Sequence, residues 1–243
     1  MVMKNLTPGL QRLVGLIEKD QEHITVKKAA ELVEQANITA GDLQPWADYM
    51  HPVKEGYGRN LAYHTDKFEI MIMTWNPGDF SSVHNHGYTQ WGAVQVFGNV
   101  MHQVYANTGE KFSLTKKEIL PYGSITKVNN ALIHQMGNVT TKPYLTLHIY
   151  GANEPHQTVT ADMKIYELET GLIRETQGGA FFNLSDEEAP VVGKMSLIDK
   201  ETFVNQAAIL MQYYCRYSAE EIRERRLPLL EQLENMVCDK IGI

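Results

Sequence analysis

From Asn60 to about Asn183, short runs rich in Val, Ile, Thr, Tyr and Phe alternate with turn signals, and this punctuation limits the fold more than any other feature. FEIMIMTW reads as a strand and stops at Asn76-Pro77-Gly78. GAVQVFGNVMHQVY reads as a hairpin with Gly98-Asn99 at its turn. SITKVNN, YLTLHIYG, MKIYELETG and LIRETQG follow at similar intervals. Many short strands at such spacing predict a sandwich or a barrel.

The flanks have the period of helices. Leu10, Leu13, Val14 and Ile17 recur at spacings of three and four and make one apolar face. Thr25 can cap a second helix with Ala29, Leu32, Val33 and Ala36 on one side. Gly41-Asp42 begins a shorter piece that ends near Tyr49, and His51-Pro52 breaks it. After Pro190, ETFVNQAAILMQYYCRY and AEEIRERRLPLLEQLENMV are again helical in period, with Pro228 expected to kink or divide the last element. The expected organisation is a mainly β unit with N-terminal helices over residues 1–190 and a helical extension over 191–243.

Composition removes several function classes. The net charge is −7 and no basic cluster is large enough to track a phosphate backbone, which argues against nucleic acid. No apolar run approaches the ~18 residues of a membrane span, and MVMKNLTPGLQRL lacks the apolar core of a signal peptide. The two cysteines, Cys215 and Cys238, cannot build a disulfide framework. These features predict a soluble cytoplasmic protein.

Four of the nine histidines stand where they can do chemistry. His84 and His86 are two apart; on a strand such residues share a face, so two imidazoles can reach one ion at ~2.0–2.1 Å. His134 opens a further string, His134-Gln135-Met136-Gly137-Asn138. In Thr146-Leu147-His148-Ile149-Tyr150, alternation puts Thr146, His148 and Tyr150 on one face. His64, His102 and His156 fall in no motif and are expected to be structural or exposed. Ligand type alone permits Fe, Zn, Ni or Cu.

These strings resemble, in order, the motifs of the cysteine dioxygenase family of thiol dioxygenases within the cupins. Gly78-x5-His84-x-His86 matches the family's first motif, and His134-x3-Asn138 its second. Thr146-x-His148-x-Tyr150 is similar to its Ser-x-His-x-Tyr strand, and Tyr57-Gly58-Arg59-Asn60-Leu61 to its Tyr-x-Arg-Asn-Leu segment. The similarity runs from about residue 40 to about residue 183. It implies a cupin jelly-roll barrel holding one ferrous ion per subunit through His84, His86 and His134. Gln90 stands where many other cupins add a carboxylate ligand, so three neutral imidazoles would leave the ion its full charge and open positions. The resemblance also implies that Tyr150 points its hydroxyl at substrate and oxygen, that His148 and Thr146 hold Tyr150, and that Arg59, with Tyr57, binds the substrate carboxylate.

Two departures from the family pattern matter. Where some animal members carry a cysteine that crosslinks to the tyrosine, this chain has Trp91 or Gly92, so Tyr150 should be uncrosslinked and Trp91 would narrow the pocket. Pro121-Tyr122-Gly123 lies earlier than the family's Pro-x-Gly, and Asn129-Asn130 takes the turn before His134. The implied function is oxidation of a small thiol carboxylate, L-cysteine first, to its sulfinic acid with O2. The alternatives are a dioxygenase for a 3-mercaptopropionate-type or larger thiol, and a metal-binding cupin without oxygenase chemistry, such as a ligand sensor.

Overall fold

The computed structural model of the chain describes residues 5–20, 23–216 and 219–241. Helix α1 (Pro8–Lys19) has its proline in the first turn, where a missing N–H costs nothing, and it buries Leu10, Leu13, Val14 and Ile17. Helix α2 (Val26–Ala36) is capped by Thr25, whose hydroxyl oxygen accepts from the Lys28 N–H, and it buries Ala29, Leu32, Val33 and Ala36. Both apolar faces are those the periodicity predicts. A single turn, α3 (Ala40–Leu43), is fixed by a capping box between Thr39 and Asp42.

The β region follows: β1 (Gly58–His64), β2 (Phe68–Trp75), β3 (Trp91–Val96), β4 (Val100–Asn107), β5 (Lys111–Leu120), β6 (Ile125–Val128), β7 (Ile133–Gly137) and β8 (Tyr144–Gly151). Then come β9 (Met163–Glu167), β10 (Leu172–Thr176), β11 (Val191–Lys194) and β12 (Leu197–Ile198). One antiparallel sheet has the order β1-β2-β8-β3-β6, a second the order β12-β5-β4-β7, and a small third the order β11-β10-β9. Met71, Met73, Trp75, Val94, Val96, Val100, Val128 and Met136 come from both larger sheets and form one core between them. The other face of the first sheet presents Ile70, Ile72, Leu145, Leu147 and Ile149 to the apolar faces of α1 and α2. The result is the expected cupin barrel, mainly β, with helices before and after it.

Gly98-Asn99 does not close a hairpin. Strand β3 pairs with β8 and β6, whereas β4 pairs with β5 and β7, so this turn carries the chain from one sheet to the other. Two strands about a Gly-Asn pair look alike in sequence whether they pair with each other or cross between layers. Gly98 is needed there for close approach: a Cβ would sit 2.4–2.6 Å from the Tyr144 side chain.

Alternation along β3 settles the direction of Trp91, and it corrects the expectation that this residue narrows the pocket. Trp91 and Ala93 belong to the helix-covered face, while Val94 and Val96 face the barrel interior. Trp91 lies opposite Gly151 and packs near Phe68, with ring centroids 6.5 Å apart. It therefore seals the barrel against the N-terminal helices and does not line the interior.

Helix α4 (Lys200–Tyr214) is capped by Asp199, and its Phe203, Ala207, Leu210 and Tyr213 pack with Phe80, Met101 and Phe182. Helix α5 (Ala219–Ile241) runs through Pro228 and is not divided there, although the proline removes one helix hydrogen bond. Leu229, beside it, is buried in the α4 cluster, which offers a reason for the helix to continue. Cys215 is exposed and, among the described residues, free, and the side chain of Cys238 lies outside the described residues. Among the described residues no helix is long and apolar enough to cross a membrane.

The outward Trp91 makes a testable demand on Gly151. A Cβ at that position would meet the indole at 2.1–2.3 Å. Gly151→Ala should cost about 1–3 kcal/mol, the usual range for overpacking, and denaturant unfolding will measure it. An unchanged unfolding midpoint would mean that the indole is not packed over Gly151.

Candidate metal centre

The segment before β3 brings the first two histidines to the third. It is extended but is not a regular strand: single bridges join Phe80 to Gly137 and His84 to both His134 and Ile165. The backbones of His84 and His134 exchange N–H···O bonds of 3.0 and 2.9 Å. His84 thus sits on a bridge and His86 in the extended chain beyond it, and direct pairing of His84 with His134 together with the two-residue spacing gathers all three rings. Their centroids lie 4.7–5.2 Å apart.

Burial keeps these rings neutral. His84 is driven down to about 4 by desolvation, and His86 and His134 fall well below the usual histidine value for the same reason and by mutual repulsion. His84 Nδ1 lies 2.8 Å from the Ser82 carbonyl oxygen, which can only accept. A neutral His84 therefore carries its proton on Nδ1 and keeps a lone pair on Nε2. His86 Nε2 and His134 Nε2 are 3.1 Å apart. Two lone pairs at that distance repel unless a proton or a cation lies between them. Nitrogens sharing one ion at ~2.0–2.1 Å stand roughly 3 Å apart, and the three ligand atoms here all lie within 4.8 Å of one another. The donor set fits a metal ion. Gln90 takes no part: it is exposed, and its Oε1 accepts from the Asn153 N–H at 2.7 Å.

A second line of groups runs along β8 on the same interior face. His148 Nε2 is 2.7 Å from Thr146 Oγ1, and His148 Nδ1 is 2.7 Å from the Tyr150 hydroxyl. Burial pushes His148 down to about 3, so it too is neutral. Burial pushes the Tyr150 phenol upward, so it keeps its proton. Trp75, which the sequence did not single out, donates from Nε1 to Thr146 Oγ1 at 2.9 Å. Gly92 stands directly opposite Tyr150 in the sheet register, so no side chain there can bond to the phenol.

Arg59 lies on β1 opposite Met73, whose side chain is in the interior core. Among the described residues its buried Nε has no hydrogen-bond partner, and its charge bears on His84, His148, Tyr57 and Tyr150. Glu69, a possible acidic partner, is already used: it accepts from the Val159 N–H at 3.0 Å and from the Thr160 hydroxyl at 2.9 Å. Tyr57 stacks on Trp75 at 4.9 Å, and its hydroxyl accepts from the Ala180 N–H.

His102 reaches the site although it falls in no motif. Its Nε2 lies 3.0 Å from His134 Nδ1, and its Nδ1 lies 3.1 Å from Glu118 Oε1. Of the two expected roles, structural or exposed, His102 takes the structural one: it is buried and lies beside His134. The only signal was the pairing of His102 with Glu118 across β4 and β5, which needs the strand register. His64 is exposed, and His156 stacks on Tyr88.

The family model for cysteine dioxygenase type I matches residues 4–162. The chain belongs to this family. Human cysteine dioxygenase type 1 is 29% identical over 124 residues, which cover 48% of this chain and 62% of the human protein. The bovine protein is 27% identical over 135 residues, covering 53% of this chain and 66% of that one. The chain thus spans slightly less than two thirds of the length of these curated relatives. Among solved structures, a Thermus thermophilus protein aligns with a TM-score of 0.37 at 19% identity, over 46% of this chain and 94% of that one. The Schizosaccharomyces pombe Cnp3 cupin domain aligns with a TM-score of 0.37 at 8% identity, over 45% and 72%.

Two outcomes test the centre. Replacing His84, His86 or His134 singly by Ala should remove most bound metal and leave the fold; elemental analysis after chelation and reloading measures it, and wild-type metal content in all three variants would exclude the assignment. The second concerns pH. His84 and His148 have folded-state values of about 4 and about 3, below the ordinary value of 6.5. The unfolded chain therefore binds more protons in this window. Stability is fully present above about 6.5 and falls as pH drops toward 4, by on the order of a few kcal/mol at ~1.4 kcal/mol per unit. Urea unfolding of chelated protein at pH 7, 6 and 5 should show midpoints falling in that order.

Proposed function

We propose that this chain is a non-haem iron thiol dioxygenase that converts a small thiol carboxylate, L-cysteine first, to its sulfinic acid with O2. The observation that carries this reading is Arg59. A buried guanidinium nitrogen without a partner among the described residues, whose charge bears on His84, His148 and Tyr150, calls for an anionic ligand. A carboxylate offers two oxygens to its planar fork. Family membership supports the thiol and oxygen part of the reading.

A ferrous ion held by His84, His86 and His134 would supply a positive site for the thiolate and the one-electron chemistry that lets O2 react with it. The overall change is balanced without another reductant: RSH and O2 give RSO2H, with both oxygen atoms on sulfur. The protein's share is positioning and exclusion of water. Arg59, with Tyr57 beside it, holds the carboxylate and so fixes where the sulfur lies. Tyr150 offers a hydroxyl proton toward the reacting atoms. His148 and Thr146 keep that hydroxyl aimed, because each accepts or donates along one hydrogen-bonded line.

Oxygen uptake by iron-loaded protein against cysteine, 3-mercaptopropionate and cysteamine tests the function. Cysteine should be turned over best, and tightly held zinc with no oxygen uptake on any thiol would instead identify a metal-binding cupin without oxygenase chemistry. Arg59→Ala should lower kcat/KM for cysteine about ten- to a hundredfold, since a charge-assisted hydrogen bond contributes roughly 1.5–3 kcal/mol. The same change should leave cysteamine, which lacks the carboxylate, nearly unaffected, and Arg59→Lys should recover only part of the loss. Equal losses on both thiols would mean that Arg59 does not read a carboxylate.

A further inference from the structure

We propose that His102 and Glu118 are positioning residues that act on the metal through His134, by a hydrogen-bonded relay reaching from the centre to the protein surface. The inference rests on the metal-ligand part of the reading above and not on its thiol chemistry. Three adjacent strands build the relay. His102 on β4 faces Glu118 on β5 directly, and it stands diagonal to His134 on β7, which pairs with Val104. The links are His134 Nδ1 to His102 Nε2 at 3.0 Å and His102 Nδ1 to Glu118 Oε1 at 3.1 Å. Glu118 Oε2 is held in turn by Lys116 Nζ at 2.8 Å, on a side chain that is 59% exposed.

Proton placement makes the line directional. His134 presents Nε2 toward His86 at the centre, and a ring that gives Nε2 to a metal keeps its proton on Nδ1. That proton can only be donated to His102 Nε2. A neutral His102 then carries its own proton on Nδ1 and donates it to Glu118. Each nitrogen has one role, and the carboxylate at the end pulls both protons outward. The pull leaves the His134 ring richer in electrons and a stronger donor, and it fixes the ring's tautomer and angle. Among the described residues, His84 has only the Ser82 carbonyl oxygen behind it, and His86 Nδ1 makes no hydrogen bond of regular geometry and faces only the backbone of Leu132 and Asn129. The relay therefore singles out one of three ligands that the sequence presents as equivalent.

The test is metal affinity, measured anaerobically on the full chain by competition of Fe(II) and Co(II) with a chromophoric chelator. Glu118→Gln keeps the size of a partly exposed side chain and removes only its charge, so it should weaken affinity several-fold. His102→Phe should weaken it about ten- to a hundredfold, the usual span for a group behind a histidine ligand. In the His102→Phe background Glu118→Gln should do nothing more. That non-additivity marks action through His102, which loosened packing would not produce. The iron midpoint potential should rise in Glu118→Gln, because a weaker donor favours Fe(II). If His102→Phe does not fold, Glu118→Gln decides alone. Affinity within twofold of wild type and an unchanged potential in Glu118→Gln overturn the relay while leaving the ligand assignment intact. A wild-type chain that retains no metal after reloading overturns both.

Discussion

Everything around the centre follows from holding three imidazoles neutral with their lone pairs aimed at one point. Solvent-exposed histidines would be protonated through much of the acid range and would turn away from one another. Here burial removes that option, and His84, His86 and His134 are all shifted toward the neutral form. Neutral rings in such contact still repel through their lone pairs, so the protein must hold them against that repulsion. Paired backbones help for His84 and His134, whose two reciprocal hydrogen bonds hold their main chains side by side.

The supporting structure is arranged to keep that small segment fixed. Asp79 lies five residues before His84 and is fully buried. It accepts from the Asn76 N–H, lies 3.0 Å from His51 Nε2, and accepts from Arg216 Nη1 at 2.6 Å. Arg216 follows α4 and also donates to the Gly78 carbonyl oxygen. Tyr213 on α4 donates from its hydroxyl to the Lys54 carbonyl oxygen. The chain beyond the family match is thus bonded to the two loops that flank the interior wall of β1 and β2. A carboxylate as deeply buried as Asp79 costs several kcal/mol unless paired, so His51 and Arg216 are the condition for having it there at all.

How much of this was legible depends on whether local or non-local information was needed. The faces of α1 and α2, the Thr25 cap and the extents of β2 and β8 were readable because each follows from periodicity or a single capping residue. The clustering of His84, His86 and His134 was readable because family motifs bring them into order. The direction of Trp91 was not, since a one-residue choice between Trp91 and Gly92 flips the face, and only the register with Gly151 and Tyr150 decides it. The crossing at Gly98-Asn99 was missed for a similar reason: local turn chemistry says that the chain reverses and is silent on which strand it then joins. His102 needed the registers of two strand pairs at once.

Trp75, outside every motif, orders the interior wall that carries Thr146, His148 and Tyr150. Its indole N–H can only donate, so the Thr146 oxygen must accept from it. The Thr146 proton then has His148 Nε2 as its acceptor at 2.7 Å. A neutral His148 is left with its proton on Nδ1, which it donates to the Tyr150 oxygen, and the Tyr150 proton remains available to whatever occupies the centre. Reversal of this line would point a lone pair of Tyr150, and not a proton, at the centre. The same indole stacks on Tyr57, two residues from Arg59, with ring centroids 4.9 Å apart. One donor-only ring therefore orders the proton line and braces the segment that carries the guanidinium. The two halves of the wall are coupled through packing and hydrogen bonding at a residue that contacts neither the metal ligands nor Arg59 through any hydrogen bond of its own.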